Sequence, residues 1–212
     1  MDRAPSDDRA FERFASVCAF IAGAGGLAYA IAFATILRGA GTRAQAASAL
    51  FLLLGGVLTT AVLVAVYRRL RMTSPSFAAW GFVVGIVAAI GSAVHGGFDL
   101  ANLAHPPSAH LGSLPNPVDP RGLLTFGMTA IAIATFATLI LRGSTFPRRL
   151  GSVGLVDAIL LVVIYVGRLT VLNPKSPVLL VAALLVGFIV NPAWFIWLGI
   201  ALRRPTAAHA IG

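Results

Sequence analysis

Six long apolar stretches dominate this chain of 212 residues. They cover residues 14–37, 47–66, 77–98, 123–141, 150–171 and 178–202. A helix that rises about 1.5 Å per residue needs roughly 20 apolar residues to cross the hydrocarbon core of a bilayer, and each stretch comes close to that length or exceeds it. The sequence therefore predicts an all-α, polytopic transmembrane bundle of six helices.

The composition narrows the class of protein further. Hydrophobic residues make up 58% of the chain, and the mean hydropathy is +0.90. Because Cys18 is the single cysteine, an intramolecular disulfide and a paired-cysteine metal site are both excluded. The 16 Lys and Arg residues lie mostly at the ends of apolar stretches, so we expect the lipid bilayer as a partner and no nucleic acid.

The distribution of basic residues also predicts the orientation in the membrane. With the N-terminus inside, eleven Lys or Arg residues fall on the inner side and five on the outer side, which together account for all 16. Such a bias is typical of cytoplasmic loops. We therefore expect both termini in the cytoplasm of a bacterial cell, and the protein as a multi-pass component of its inner (plasma) membrane.

One connection between the stretches is longer than a tight turn. It spans residues 105–121 and contains five prolines, which disfavour helix and predict an extended outer loop. We divide the chain into a cytoplasmic segment 1–13, one six-helix transmembrane domain 14–204 and a cytoplasmic tail 205–212. The loop separates two halves of three spans, and the short apolar echoes between them leave open whether these halves form an inverted repeat.

Small residues indicate how the helices pack. Lipid supplies no hydrophobic force between helices, so close contact through small residues must hold them together. The third stretch has two small-xxx-small steps at Gly81, Gly85 and Ala89, and Gly55 and Gly56 thin the second stretch. We interpret these residues as packing positions within the bundle, with a homo-oligomer face or contact with another membrane protein as the alternative.

Polar side chains interrupt the third apolar stretch near its predicted outer end. Ser92, His95, Asp99 and Asn102 fall on one helix face about 80° wide, and His105 opens the following loop. An ionisable group at membrane depth is unfavourable by roughly 2.5–3.5 kcal/mol, so this set is a candidate ligand-binding or polar cluster. His95 and Asp99 lack the third protein ligand that a catalytic zinc site needs, which only Asn102, His105 or a residue on another helix could supply. We therefore expect hydrogen bonds here, with no metal, no cofactor and no catalytic residue.

Arg168 in the fifth stretch is the expected partner of this cluster. His95 lies 18 residues after position 77, and Arg168 lies 18 residues after position 150. Both should reach a depth of roughly 27 Å from the inner ends of their stretches. The guanidinium can extend to Asp99 one turn further out, or it can snorkel to the outer headgroups. The sequence leaves these two alternatives open.

Asp157 is the deepest acidic residue of the chain. It lies seven residues after position 150, and Asn191, which precedes Pro192 in the sixth stretch, should reach a comparable depth. We predict a hydrogen bond between Asp157 and Asn191. The carboxyl group is expected to be protonated, and it serves either as a structural hydrogen-bond donor or as part of a proton relay.

A family resemblance is visible in two parts of the chain. These are the closing segment, from Asn191 through Trp194 and Trp197 to Arg204, and the start of the fifth stretch at Leu150. In these residues and in its layout the chain resembles small six-span integral membrane proteins of bacteria of the DUF4386-like kind. The resemblance implies a bacterial inner-membrane protein without assigned chemistry, and it carries over no functional residue.

These observations favour a non-enzymatic role over catalysis. The chain contains no nucleophile elbow, no Walker A motif and no His-Glu-x-x-His motif. We expect an accessory or interaction subunit, or a protein that binds a lipid-like small molecule between its helices. The alternative is a proton-coupled or small-solute transporter that uses Asp157 and the cluster of His95, Asp99 and Arg168.

Overall fold

The computed structural model describes residues 5–36, 41–106, 122–170 and 176–204. Within these ranges the chain is helical and contains no strand. The helices are α1 (Pro5–Ile36), α2 (Thr42–Leu70), α3 (Pro75–Ala104), α4 (Leu123–Arg142), α5 (Arg148–Thr170) and α6 (Pro177–Arg203). All six are long and apolar enough to span a membrane, which confirms the predicted all-α six-helix bundle. The orientation with both termini inside stays a prediction.

Several helices extend beyond the apolar stretches. Helix α1 begins at Pro5, so most of the segment 1–13 forms its first turns. Helix α3 begins with Pro75, whose fixed φ and missing N–H group are tolerated at the first helical position. Most of the proline-rich loop, at 107–121, and the tail 205–212 lie outside the described residues.

Two helices contain a wider, π-helical turn. The first six residues of α4, Leu123–Met128, and the segment Val186–Val190 of α6 have this geometry. Pro192 follows the second segment, and a proline inside a helix cannot donate the usual backbone hydrogen bond. The wider turn accommodates this missing donor, and π-helical turns occur frequently at functional sites.

The helices form a closed ring in the order of the sequence. Each helix packs against the next one along the chain, and α6 returns to pack against α1. We call the end of the bundle where α1 begins and α6 ends the termini end, and the opposite end, which carries His105 and the start of α4, the loop end. Alternate helices such as α1, α3 and α5 can therefore meet only at the centre of the ring.

The core is concentrated in the half of the bundle near the termini end. Every one of the largest fully buried side chains lies on the termini side of its helix midpoint; these residues are Leu70, Ile140, Leu150, Leu202, Val62, Val66, Asp157, Cys18 and Ser16. Large apolar side chains also cover the outside of the bundle, where they suit contact with lipid. One half of the ring is thus closely packed, and polar groups at the loop end remain partly accessible.

Glycine allows the closest helix contacts, as the sequence indicated. Gly56 of α2 lies against the backbone of α3 at Ala89 and Ala93, and Gly96 of α3 lies against the backbone of α2 at Ala49. Gly81 and Gly85 instead receive side chains from neighbouring helices. Gly55 differs from its neighbour, because a methyl group there would meet nothing within 4 Å.

Gly56 and Gly55 therefore form a matched pair for a test of helix packing. A Cβ atom at position 56 would lie 2.5 Å from the Ala89 carbonyl oxygen, so α2 and α3 would have to separate. We expect Gly56→Ala to lower the free energy of unfolding by about 1–3 kcal/mol. Gly55→Ala should leave it unchanged or raise it by up to about 1 kcal/mol, because alanine is the better helix former. Denaturant titration in detergent micelles measures both, and equal effects would contradict this assignment of the α2–α3 contact.

Candidate functional site

Polar side chains from several helices meet at the loop end. Nε2 of His95 lies 3.5 Å from Oδ2 of Asp99, one turn further along α3, and Nδ1 of His95 lies 3.3 Å from Oγ1 of Thr125 in α4. A neutral imidazole that donates from Nε2 to the carboxylate accepts at Nδ1 from the threonine hydroxyl, whereas a cationic imidazole donates at both positions. The ring thus connects an acid on α3 to a hydroxyl on α4.

Tyr29 of α1 and Arg168 of α5 lie near the same end of the bundle as this group. The Arg168 guanidinium and the Asp99 carboxylate are both close enough to the Tyr29 hydroxyl to act on it electrostatically. These three residues belong to α1, α3 and α5, which alternate around the ring. We call Tyr29, His95, Asp99, Thr125 and Arg168 the loop-end cluster.

The structure brings together some of the residues predicted for this region and leaves others apart. His95 and Asp99 come together, and both side chains keep contact with solvent, with 18% and 40% of their surface exposed. Ser92 and Asn102 are partly buried, and His105 is exposed at the end of α3. Arg168 is exposed, and no ion pair within 4.0 Å joins it to Asp99 in the part of the chain that the structure describes. His95 is a close partner of the Asp99 carboxylate, since the two lie one turn apart on the same helix.

Among the described ranges, no three His, Cys, Asp or Glu side chains converge closely enough to hold a metal ion. The mixture of acid, imidazole, hydroxyl and guanidinium groups instead suits a ligand that carries both donors and acceptors.

Asp157 and Asn191 form a second polar site in the closely packed half. Asp157 is fully buried, and its Oδ2 accepts a hydrogen bond of 3.1 Å from Nδ2 of Asn191. Its Oδ1 is also buried and has no hydrogen-bond partner within the described ranges. Asn191 directly follows the π-helical turn at Val186–Val190. The contact predicted from the depths of the two residues is present.

A third polar site lies at the termini end, around Arg69. Its guanidinium contacts Glu12 through two hydrogen bonds, from Nε at 2.8 Å and from Nη2 at 2.7 Å. It also donates to the carbonyl oxygens of Ala201 at 3.0 Å, Leu202 at 2.9 Å and Arg204 at 3.0 Å. The last carbonyl groups of a helix have no donors within that helix. Arg69 therefore caps α6 while it pairs with α1.

Three further contacts stabilise this end of the bundle. The Arg69 guanidinium lies over the ring of Phe146, with 5.5 Å to its centroid. Nε of Arg203 donates to the Ser16 hydroxyl at 3.0 Å, and that hydroxyl donates to the Gly199 carbonyl at 2.8 Å. Because these bonds join α1, α2 and α6, we interpret the Arg69 site as a structural closure of the ring.

Comparison with known proteins adds no relative to this description. The chain matches no family model, and neither a curated protein nor a solved structure is significantly similar to it.

Sequence reasoning missed Tyr29, Thr125 and the role of Arg69. Tyr29 and Thr125 carried a usable signal, since each places a hydroxyl within an apolar stretch near the predicted outer end. The sequence contains no signal that distinguishes Arg69 from Arg68 and Arg71, which occur at the same helix end. Only the folded chain distinguishes the arginine that is 5% exposed from its neighbours.

Proposed function

We propose that this protein is a non-enzymatic integral membrane protein that binds a lipid-like small molecule at the loop end. The observation that carries the proposal is the position of the loop-end cluster. Tyr29, Asp99 and Arg168 come from alternate helices of a closed ring, and each lies near the loop end of its helix. Below them the ring is closely packed, and a molecule that enters between the helices from the loop end stops there.

The chemistry of the cluster supports an amphiphilic ligand. An ammonium group suits the Asp99 carboxylate, and a phosphate group suits the Arg168 guanidinium. The apolar helix walls next to these groups suit an acyl chain. A zwitterionic phospholipid such as phosphatidylethanolamine combines all three features, and we use it as the probe.

The test removes single polar atoms from the cluster. We expect phosphatidylethanolamine, titrated into delipidated protein in dodecyl maltoside, to raise the midpoint of thermal unfolding. The Tyr29→Phe and Asp99→Asn variants should require about fivefold to tenfold more lipid for the same shift, because each loses one hydrogen bond or charge-assisted contact.

Matched variants elsewhere in the chain provide the controls. Tyr67→Phe changes a partly buried tyrosine near the termini end, and Asp8→Asn changes an acid that pairs with Arg68 there. Both should respond to the lipid as the wild-type protein does. A uniform response of all four variants would overturn the proposed site.

Transport is the second candidate function, and Asp157 is the observation that favours it. A fully buried carboxyl group next to a π-helical turn, with one oxygen that has no hydrogen-bond partner among the described residues, supports an intramembrane proton relay. In this alternative the loop-end cluster binds the solute and Asp157 carries the proton. An accessory or interaction subunit that contacts another membrane protein through its apolar surface is consistent with the same features.

The proposal includes an orientation, a membrane and a family. We place the termini end in the cytoplasm and the loop end outside, in the inner membrane of a bacterium, and we propose membership of the DUF4386-like group on the resemblance of the closing segment. Single cysteines at Ser144 and Asn102, introduced after Cys18→Ser, test the orientation. Membrane-impermeant maleimide should label Asn102→Cys in intact cells and Ser144→Cys only after permeabilisation, and the reverse pattern would exclude this orientation.

A further inference from the structure

A polar pocket lies at the termini end, apart from the three sites described above. It has a volume of about 480 Å³ and lies between the turn that follows α2 and the turn that joins α4 to α5. Its polar lining comes from Thr73, Arg142, Ser144, Thr145 and Arg148. The lining contains two arginines and no acidic residue, so the pocket is complementary to an anion.

The structure holds the Arg148 side chain at the pocket. Its Nε donates a hydrogen bond of 3.2 Å to the carbonyl oxygen of Leu141, which also lines the pocket. This bond leaves the terminal nitrogen atoms of the guanidinium available to a ligand. Arg148 is also the first residue of α5, so the positive end of that helix dipole lies at the pocket wall.

Thr145 adds an unsatisfied polar group beside the pocket. Its hydroxyl oxygen is buried and has no hydrogen-bond partner among the described residues. An unpaired buried hydroxyl group costs about 1–3 kcal/mol, and such groups in native proteins often mark the place of a water molecule or an ion. The pocket is much larger than the roughly 30 Å³ of one water molecule.

The position of the pocket indicates where its ligand comes from. Arg142 ends one span and Arg148 begins the next, so both lie where helices leave the hydrocarbon core and lipid headgroups begin. Met72 and Leu141 supply an apolar edge to the same pocket. A phosphate group attached to a hydrophobic tail fits both the polar and the apolar parts.

We propose that this pocket binds the phosphate group of an anionic phospholipid, through Arg142, Arg148 and the hydroxyl of Thr145. The guanidinium groups donate paired hydrogen bonds to phosphate oxygens, and the threonine hydroxyl donates one more. Free phosphate shares this chemistry, so the experiment compares the two sources. The site is independent of the loop-end cluster and lies at the opposite end of the bundle.

Native mass spectrometry of delipidated protein with added phosphatidylglycerol tests the proposal. We expect one tightly bound phosphatidylglycerol, retained more strongly than phosphatidylcholine. Arg142→Gln and Arg148→Gln should each weaken retention about fivefold, which is the effect of one charge near an anionic lipid surface. Arg71→Gln is the matched control, because Arg71 is exposed in the adjacent turn and does not line the pocket. Equal losses in all three variants would overturn the site in favour of diffuse charge attraction.

Two further arms complete the experiment. Displacement of phosphatidylglycerol by inorganic phosphate would show that the pocket recognises the free anion, and retention would assign it to the lipid; both outcomes support a phosphate site. Thr145→Val should raise the midpoint of thermal unfolding without lipid, because it removes an unpaired hydroxyl, and should weaken phosphatidylglycerol binding. A Thr145→Val variant with unchanged lipid binding would refute the part assigned to this hydroxyl.

Discussion

Replacement of Arg69 by methionine is expected to lower the free energy of unfolding by about 3–5 kcal/mol. The substitution removes five hydrogen bonds at once and leaves the Glu12 carboxylate without its partner. It also removes the Arg69 donors from the carbonyl groups of Ala201, Leu202 and Arg204 at the end of α6. Removal of one partner from a buried pair is unfavourable mainly because of the charge that stays behind.

Arg68→Met is the control for this experiment. Arg68 neighbours Arg69 in the sequence and also pairs with an acid of α1, Asp8, but 29% of the Arg68 side chain and 50% of the Asp8 side chain remain exposed. Exposed ion pairs contribute about 0–1 kcal/mol, so the loss should be small. Unfolding by sodium dodecyl sulfate in mixed micelles measures both variants. A loss in Arg68→Met as large as that in Arg69→Met would contradict the assigned role of burial.

A double variant separates the charge from the helix cap. Arg69→Met combined with Glu12→Leu removes both charges, so it should recover part of the stability that Arg69→Met loses. The recovery should be incomplete, because the carbonyl groups of Leu202 and Arg204 still lack the donor that Arg69 provides. Full recovery would show that the cap contributes nothing.

Asn191→Leu is expected to lower the free energy of unfolding by about 3 kcal/mol. Asn191 is the partner of the fully buried Asp157, whose second oxygen has none in the described part of the chain, so the substitution leaves the whole carboxyl group unpaired. Asp157→Asn keeps the shape and a polar group, and should change stability by less than about 1 kcal/mol. The pair Asp157→Leu with Asn191→Leu should regain most of the loss, because replacement of both partners by apolar groups is nearly neutral.

The same residue separates the two candidate functions. Asp157→Asn removes the titratable proton without a change of shape. The test uses vesicles of phosphatidylethanolamine and phosphatidylglycerol that contain the pH-sensitive dye pyranine. If Asp157 is part of a proton relay, wild-type protein should admit protons into these vesicles and Asp157→Asn should not. A structural carboxyl group predicts equal traces for both proteins. Equal traces together with a large Asn191→Leu defect would assign Asp157 to stability alone.

The helices could be predicted from the sequence because the membrane constrains them strongly. A bilayer requires about 20 apolar residues in each span and full internal hydrogen bonding, so length and hydropathy identify the spans. The ends of the helices were harder to predict, because polar turns such as residues 5–13 continue a helix without an apolar signal. The contact between Asp157 and Asn191 was predictable for a related reason, because the rise per residue converts sequence position into depth.

The rest of the candidate site depends on which helices are neighbours. The depth estimated from the sequence is the same for Arg168 and His95. This estimate does not determine whether the guanidinium reaches Asp99 or acts across the ring. The order of the ring decides this question, and no local pattern encodes that order. Thr125 illustrates the same limit, because its approach to His95 depends on the packing of the π-helical start of α4 against α3.

The acceptors of Arg69 have a consequence for biosynthesis. Glu12 and Arg69 precede Ala201, Leu202 and Arg204 in the chain, so they emerge from the ribosome first. Until the latter three residues arrive, the guanidinium lacks three of its five hydrogen bonds, and α6 cannot seal the gap between α1 and α5. Closure of the bundle therefore waits for the synthesis of α6. A chain truncated before α6 keeps its Glu12–Arg69 pair but has an open seam between α1 and α5.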